Sequence, residues 1–290
     1  MKYKRSLSKC NSISLKLIVN IVLKRTLVFV FIIQLVSSCS DQPKKVTQVK
    51  QSPQSNSNTH KIPYILGDQT IYFNTYDNSN KKITYFNMHD DENTSVEAAK
   101  SVIDKVGGKL IEIKASGDRN ISFNYQGMPY KFDPNRIYTP NGVKKTMQDL
   151  GHYSQEGDSI VTGFAHFIVD SLLINTKKIV TLHNNTEGNY SIESYKKGGI
   201  YENDASAVFL NSLQDPDDFF YVTEDSYFKA LSKKGYNTLL QDNSNVNDDG
   251  SLSVYCGYKN IVYINVEAQK GHLEVQKEML FSLQEVLDTL

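Results

Sequence analysis

The sequence predicts a single α/β domain, a mostly parallel mixed sheet flanked by helices, and three observations carry that prediction. Short runs rich in β-branched and aromatic residues alternate with segments whose apolar residues recur at helical spacing. At least one of those runs, Ile179-Val180-Thr181-Leu182, is nearly apolar throughout, as a strand buried on both faces is. The composition is that of a globular chain, 39% hydrophobic and 22% charged, which argues against disorder and against a repeat array.

The first sixty residues stand outside this pattern. Lys2, Lys4, Arg5, Lys9, Lys16, Lys24 and Arg25 precede the apolar run Leu27-Val28-Phe29-Val30-Phe31-Ile32-Ile33. A basic region followed by an apolar run too short to span a bilayer reads as an export signal. The run closes on Val36-Ser37-Ser38-Cys39, which resembles the bacterial lipobox, whose cysteine accepts diacylglycerol. Residues 1–38 are therefore expected to be a lipoprotein signal peptide, with a non-cleaved N-terminal anchor as the alternative. Either way the domain is expected outside the cytoplasm of a bacterium, held to a membrane through lipid on Cys39. Residues 39–60, rich in Gln, Ser, Asn, Lys and Thr, are expected to be a flexible tether that includes His60. The folded domain is then 61–290.

Within it, 83–88 reads as a strand, 94–106 as a helix and 109–115 as a second strand, together a βαβ unit. Val96, Ala99, Val102, Ile103 and Val106 share one helix face, with Thr94 as the expected cap and Gly107 as the stop. Further strands are expected at 121–126, 178–183, 218–222, 236–241 and 261–266, and helices at 158–174, 225–234 and about 272–289. Residues 127–157 and 184–217 are expected as loops and 242–250 as a polar turn. Asp248-Asp249-Gly250 lacks the rest of a calcium-loop pattern and reads as a turn.

Charge and cysteine usage narrow the function classes. Lys and Arg total 32, as do Asp and Glu, so no general attraction to nucleic acid is expected. Of the three cysteines, Cys10 leaves with the signal and Cys39 is lipidated, which leaves Cys256 and no internal disulfide. Cys256 lies in Val254-Tyr255-Cys256-Gly257-Tyr258, the setting of a buried structural thiol rather than a nucleophile.

The stretch Asn87-Met88-His89-Asp90-Asp91-Glu92-Asn93-Thr94 falls where a strand gives way to a helix. Functional groups of open α/β sheets gather at such strand ends. Three residues apart on a tight turn, His89 and Glu92 can converge on a metal, and His183 closes another strand in the same position. A catalytic zinc takes three protein ligands and an open position. Hydrogen-bonded loop histidines remain the plain alternative. His152, His166 and His272 fit no such pattern, and His166, inside an apolar helix, is expected to be packed or capping.

Between the first pair and the third histidine lies Phe132-Asp133-Pro134-Asn135-Arg136-Ile137-Tyr138-Thr139-Pro140. With it, the sequence resembles the zinc carboxypeptidase superfamily, especially its succinylglutamate desuccinylase and aspartoacylase branch. The order His89-x-x-Glu92, Asp133-x-Asn135-Arg136, His183 and Glu267 carries the resemblance, over about residues 83 to 270. It implies a zinc ion on His89, Glu92 and His183, and Glu267 as the catalytic carboxylate that moves a proton from water to the leaving amine. Arg136 presents a planar fork suited to a substrate carboxylate, and Asn135 can donate beside it. A surface salt bridge is the alternative for Arg136, and a solvent-facing strand end for Glu267. Two departures stand out. Asp90 and Asp91 add charge beside the metal, which would tighten zinc or favour a cationic substrate, and Thr181 replaces a frequent aspartate near the third ligand.

The expected activity is a zinc-dependent, carboxypeptidase-like amide hydrolase acting on a peptide or a cell-wall stem peptide with a free carboxylate. The alternatives are an N-acyl amino acid deacylase and a non-catalytic ligand-binding lipoprotein of the same fold.

Overall fold

Val96, Ala99, Val102 and Ile103 form one apolar stripe, and such a stripe is buried only when a sheet or helix lies against it. The computed structural model describes residues 57–78, 83–174 and 176–290, which belong to one compact unit, Pro53–Leu290. The expected signal peptide 1–38, Cys39 and the tether up to residue 56 lie outside the described residues. In chain order the elements are β1 (Asn58–Leu66), β2 (Gln69–Asn78), β3 (Thr84–Asn87), α1 (Asn93–Val106), β4 (Gly108–Lys114), β5 (Ile121–Tyr125) and β6 (Met128–Phe132). Then come α2 (Pro140–Leu150), α3 (Gln155–Phe167), β7 (Lys178–Asn185), β8 (Ala205–Phe209), β9 (Phe219–Val222), α4 (Asp225–Lys233), β10 (Thr238–Gln241), α5 (Leu252–Lys259), β11 (Val262–Gln269) and α6 (Leu273–Leu287).

Nine strands form one mixed sheet in the order β1-β2-β4-β3-β7-β11-β9-β10-β8, while β5 and β6 make a separate hairpin. Its centre, β4, β3, β7 and β11, is parallel. Antiparallel pairs flank that centre on both sides. Helices α1, α4 and α6 pack one face around Val102, Ile103, Leu231, Leu280 and Leu283. The other face is covered by α2, α3 and α5 through Met147, Phe164, Leu252 and Cys256. Covered on both sides, β7 is buried along nearly all its length, which is why its sequence is apolar. Among the described residues no helix is long and apolar enough to cross a membrane.

Several expectations are corrected. Residues 58–60 of the expected tether pair in β1, with His60 opposite Thr75. The segment 127–157 holds β6, α2 and the start of α3, and 184–217 holds β8 and two short turns of 3-10 helix. The helix expected over 158–174 starts at Gln155, behind a Ser154 cap, and passes at Ile168 into a π-helical turn. His166 is exposed on it rather than packed. Thr94 does not cap α1, which begins one residue earlier with Glu92 at the cap position and no side-chain capping bond. Cys256 is buried, as expected, and burial pushes its thiol pKa far up, so it stays a thiol.

Candidate metal centre

The carboxyl ends of β3 and β7 lie side by side in the parallel centre of the sheet. Past β3 the chain turns sharply, the Glu92 amide donating to the His89 carbonyl at 3.2 Å. Two strands brace that turn: Asn87 donates to Ser95 Oγ at 2.9 Å, and the Ser95 hydroxyl donates to the Glu92 carbonyl at 2.8 Å. From β7, Asn184 Oδ1 accepts the Ser95 amide at 2.9 Å. The turn thus aims His89 and Glu92 at His183, which β7 carries on the same side. All three are buried, at 0%, 3% and 4% exposure.

His89 Nδ1 lies 2.8 Å from Glu92 Oε1, and His183 Nδ1 lies 3.2 Å from both His89 Nδ1 and Glu92 Oε2. Ligand atoms 2.0–2.1 Å from a tetrahedral zinc stand roughly 3.3 Å apart, so the triangle has the size such an ion needs. The donor chemistry fits as well. Two imidazole nitrogens and the Glu92 carboxylate converge there away from solvent, the kind of donor set that zinc takes. His89, Glu92 and His183 therefore form a group that could hold a metal ion. A second group, Asp215, Asp218 and His272, also comes within 4.8 Å, but its atoms are engaged by the Asp217 and Gln269 amides and by each other.

Electrostatics around the triangle are strong. Burial opposes charge on His89, yet Glu92 and Asp133 raise its pKa to about 9. Burial alone would raise Glu92, but His89 and His183 hold its carboxyl well below the usual range. His183 is lowered, chiefly by burial, and stays neutral as a ligand must. On the far side of His89, Asp133 Oδ1 accepts from Nε2 at 2.8 Å. A carboxylate there fixes the ring and leaves Nδ1 for a metal. Asp133 also holds its own loop, its Oδ1 accepting the Asn135 amide at 2.8 Å.

Glu267 stands directly opposite His183 in the β7–β11 register and is 5% exposed. Burial first, then the Glu92 carboxylate, pushes its pKa up to about 8, against a hydrogen bond from Asn265. It is therefore an interior carboxyl beside the triangle rather than a solvent-facing strand end. Arg136 is 37% exposed along its side chain; Nη1 donates to the Asn135 carbonyl at 2.8 Å, and Nε lies 3.5 Å from Asp249 Oδ2. Its segment is pinned by backbone contact: a Cβ on Gly142 would meet Gly250 Cα at 2.2 Å, and Gly250 has φ +79°. Asn135 Oδ1 accepts the Leu252 amide at 3.2 Å, which leaves its amino group for another partner.

Asp90 is not free to tune a metal or attract a cation. Its Oδ2 accepts the Ala115 and Gly117 amides at 2.7 and 2.8 Å and Lys114 pairs with Oδ1, so it ties down the loop after β4. Two groups escaped the sequence reading. Arg119, in that loop, donates to Glu92 Oε1 at 2.8 Å and lies 3.6 Å from Asp133 Oδ2. Its signal was compositional, since only Arg119 and Arg136 follow residue 25 in a lysine-rich chain. Tyr190 and Tyr195, from the expected loop 184–217, join hydroxyls at 2.6 Å and feel the charge of Arg136.

No protein-family model matches the sequence, and no curated protein matches it. Among solved structures the chain is similar to a succinylglutamate desuccinylase/aspartoacylase from Rhodobacter sphaeroides, with 11% identity and a TM-score of 0.42 over 80% of this chain. It is also similar to an aspartoacylase family protein from Mesorhizobium loti, with 11% identity and a TM-score of 0.43 over 81% of this chain. The chain spans 66% and 68% of the length of those two proteins.

Proposed function

We propose that this chain is a zinc-dependent hydrolase of amide bonds next to a free carboxylate, acting on a peptide or a cell-wall stem peptide outside the cytoplasm. The observation that carries the reading is the convergence of His89, Glu92 and His183 on one buried point with the Glu267 carboxylate across from His183. The motif order of the sequence, which resembles that of zinc carboxypeptidases, supports the same assignment.

Zinc on His89, Glu92 and His183 would polarise the scissile carbonyl and acidify water. Asp133 keeps His89 in the tautomer that presents Nδ1. Glu267 is the proton carrier: Asn265 holds Oε2 at 3.0 Å, so Oε1 is the atom that takes a proton from water and delivers it to the leaving amine. Arg136 uses Nε and Nη1 within the protein, and its remaining η nitrogen would pair with the carboxylate of the substrate. Tyr190 and Tyr195, their hydroxyl pKa values raised by burial, wall that side with neutral groups.

A panel of peptides with free or amidated C-termini tests this with zinc-loaded protein. Glu267→Gln is expected to keep zinc and lose about a hundredfold or more in kcat. Arg136→Ala should raise KM for free peptides about tenfold or more and spare amidated ones. Full activity in Glu267→Gln, or equal losses on both peptide classes in Arg136→Ala, would contradict the roles.

A further inference from the structure

Thr181 and Asn265 interrupt the apolar runs Ile179-Val180-Thr181-Leu182 and Ile264-Asn265-Val266, and both are buried. The parallel register sets Thr181 opposite Asn265 and His183 opposite Glu267, so strand alternation puts all four on one face. There they form a chain of contacts. Thr181 Oγ1 lies 2.7 Å from the Tyr263 hydroxyl and 3.2 Å from Asn265 Oδ1, and Asn265 Nδ2 lies 3.0 Å from Glu267 Oε2.

When Glu267 is ionised, as a base must be, and the single Thr181 proton is spent on Asn265 Oδ1, one arrangement of protons satisfies every contact. Tyr263 donates its hydroxyl proton to Thr181 Oγ1, Thr181 donates its own to Asn265 Oδ1, and the Asn265 amino group donates to Glu267. Against the ionised carboxylate the reversed amide would set its carbonyl oxygen, acceptor against acceptor, at a buried position. With Glu267 ionised the chain therefore has one direction, and its last donor occupies one oxygen of Glu267. Packing alone does not require it, because valine and leucine would fill the same strand positions and remove buried polar groups together.

We propose that Thr181 and Asn265 are positioning residues that fix the Glu267 carboxylate, holding Oε2 so that Oε1 faces the scissile bond. The inference rests on the hydrolase reading above, in which Glu267 moves the proton. A threonine at 181, in place of the frequent aspartate, then has a reason: a hydroxyl can accept from Tyr263 and donate to Asn265, whereas a carboxylate there would only accept.

Two readouts test it on the full chain. In the zinc-loaded protein, Thr181→Val is expected to lower kcat on a free-carboxylate peptide about tenfold, with KM and bound zinc unchanged, and Asn265→Leu to do the same, the size of one lost hydrogen bond. Thr181→Ser should keep kcat within about twofold of wild type, because the hydroxyl is restored. The second readout needs no turnover. The Asn265 side-chain amide, assigned in a 15N spectrum by its loss in Asn265→Asp, should exchange slowly with deuterated solvent in the wild type and in Thr181→Ser, and about tenfold faster in Thr181→Val. Unchanged kcat in both Thr181→Val and Asn265→Leu, or a freely exchanging Asn265 amide in the wild type, would overturn the inference. Should Thr181→Val not fold, Asn265→Leu and the wild-type amide decide. A protected amide in a zinc-loaded wild type that hydrolyses nothing would instead overturn the hydrolase reading, and the positioning role with it.

Discussion

With Nδ1 on Glu92 and Nε2 on Asp133, each at 2.8 Å, His89 has a carboxylate at both ring nitrogens and carries two protons unless Nδ1 yields its own to a metal. Its raised pKa of about 9 has the same origin, with burial overcome by Glu92 and Asp133. Zinc binding near pH 7.5 should therefore release about one proton per ion. Titration calorimetry in buffers of differing ionisation enthalpy measures that release, and uptake independent of buffer would contradict it. Replacing Asp133 by alanine should lower the affinity about tenfold or more by freeing the ring. His183 and Glu267 were legible in the sequence because strands carry them, and His89 and Glu92 because they directly follow one: an apolar run ending in histidine, or holding a lone glutamate, is visible as a pattern. Arg119 and the true partner of Asp133 were not, because they meet Glu92 and His89 through loops whose paths no local pattern specifies.

The β5–β6 hairpin has no place in the main sheet, and it docks on the β1–β2 turn through Asp68. Asp68 accepts the Asn124 amide at 2.6 Å and its side-chain amino group at 2.9 Å, while its own amide donates to the Asn124 carbonyl at 3.0 Å. Gly67 makes the approach possible: it sits at φ +59°, and a Cβ there would lie 2.5 Å from the Asn124 oxygen. The Asn124 side chain, then its backbone, holds the Asp68 carboxyl below its ordinary 3.8. A depressed carboxyl stabilises above its unfolded value and loses that contribution as pH falls through the folded one. Asp68→Ala should accordingly melt below wild type at neutral pH, with the gap narrowing below about pH 4. A gap constant across that range in thermal melts would contradict the docking role. Among the elements, α1 and β7 were legible because one periodicity ran through each. The edge strand β1 was not, since its outward residues are polar and merge with the preceding tether composition. For α2, the local signal was present but unread: Thr139 accepts the Gly142 amide and Pro140 takes the first helical position, with Val143 and Met147 following on one face. The αβ class followed from alternation, whereas the antiparallel flanks depend on pairings distant in sequence.

Across the whole molecule, two proposals are independent: where the domain is held and what its centre does. The anchor is expected on Cys39, so labelled palmitate should enter the wild type and not Cys39→Ala, and equal labelling would contradict lipidation there. The centre is a buried convergence of two imidazoles and a carboxylate at the middle of a parallel sheet, with the buried Glu267 carboxyl on the next strand. Such a set of buried donors is costly to maintain unless it is paired or ligating. Every function proposed here depends on its holding a metal. The most direct test is the zinc content of purified protein after equilibration with zinc and removal of the excess, beside His89→Ala/His183→Ala prepared identically. About one zinc per wild-type chain and none in the double variant is the expected result, following the three-ligand requirement. No bound zinc in the wild type, or equal zinc in the variant, would contradict the metal centre.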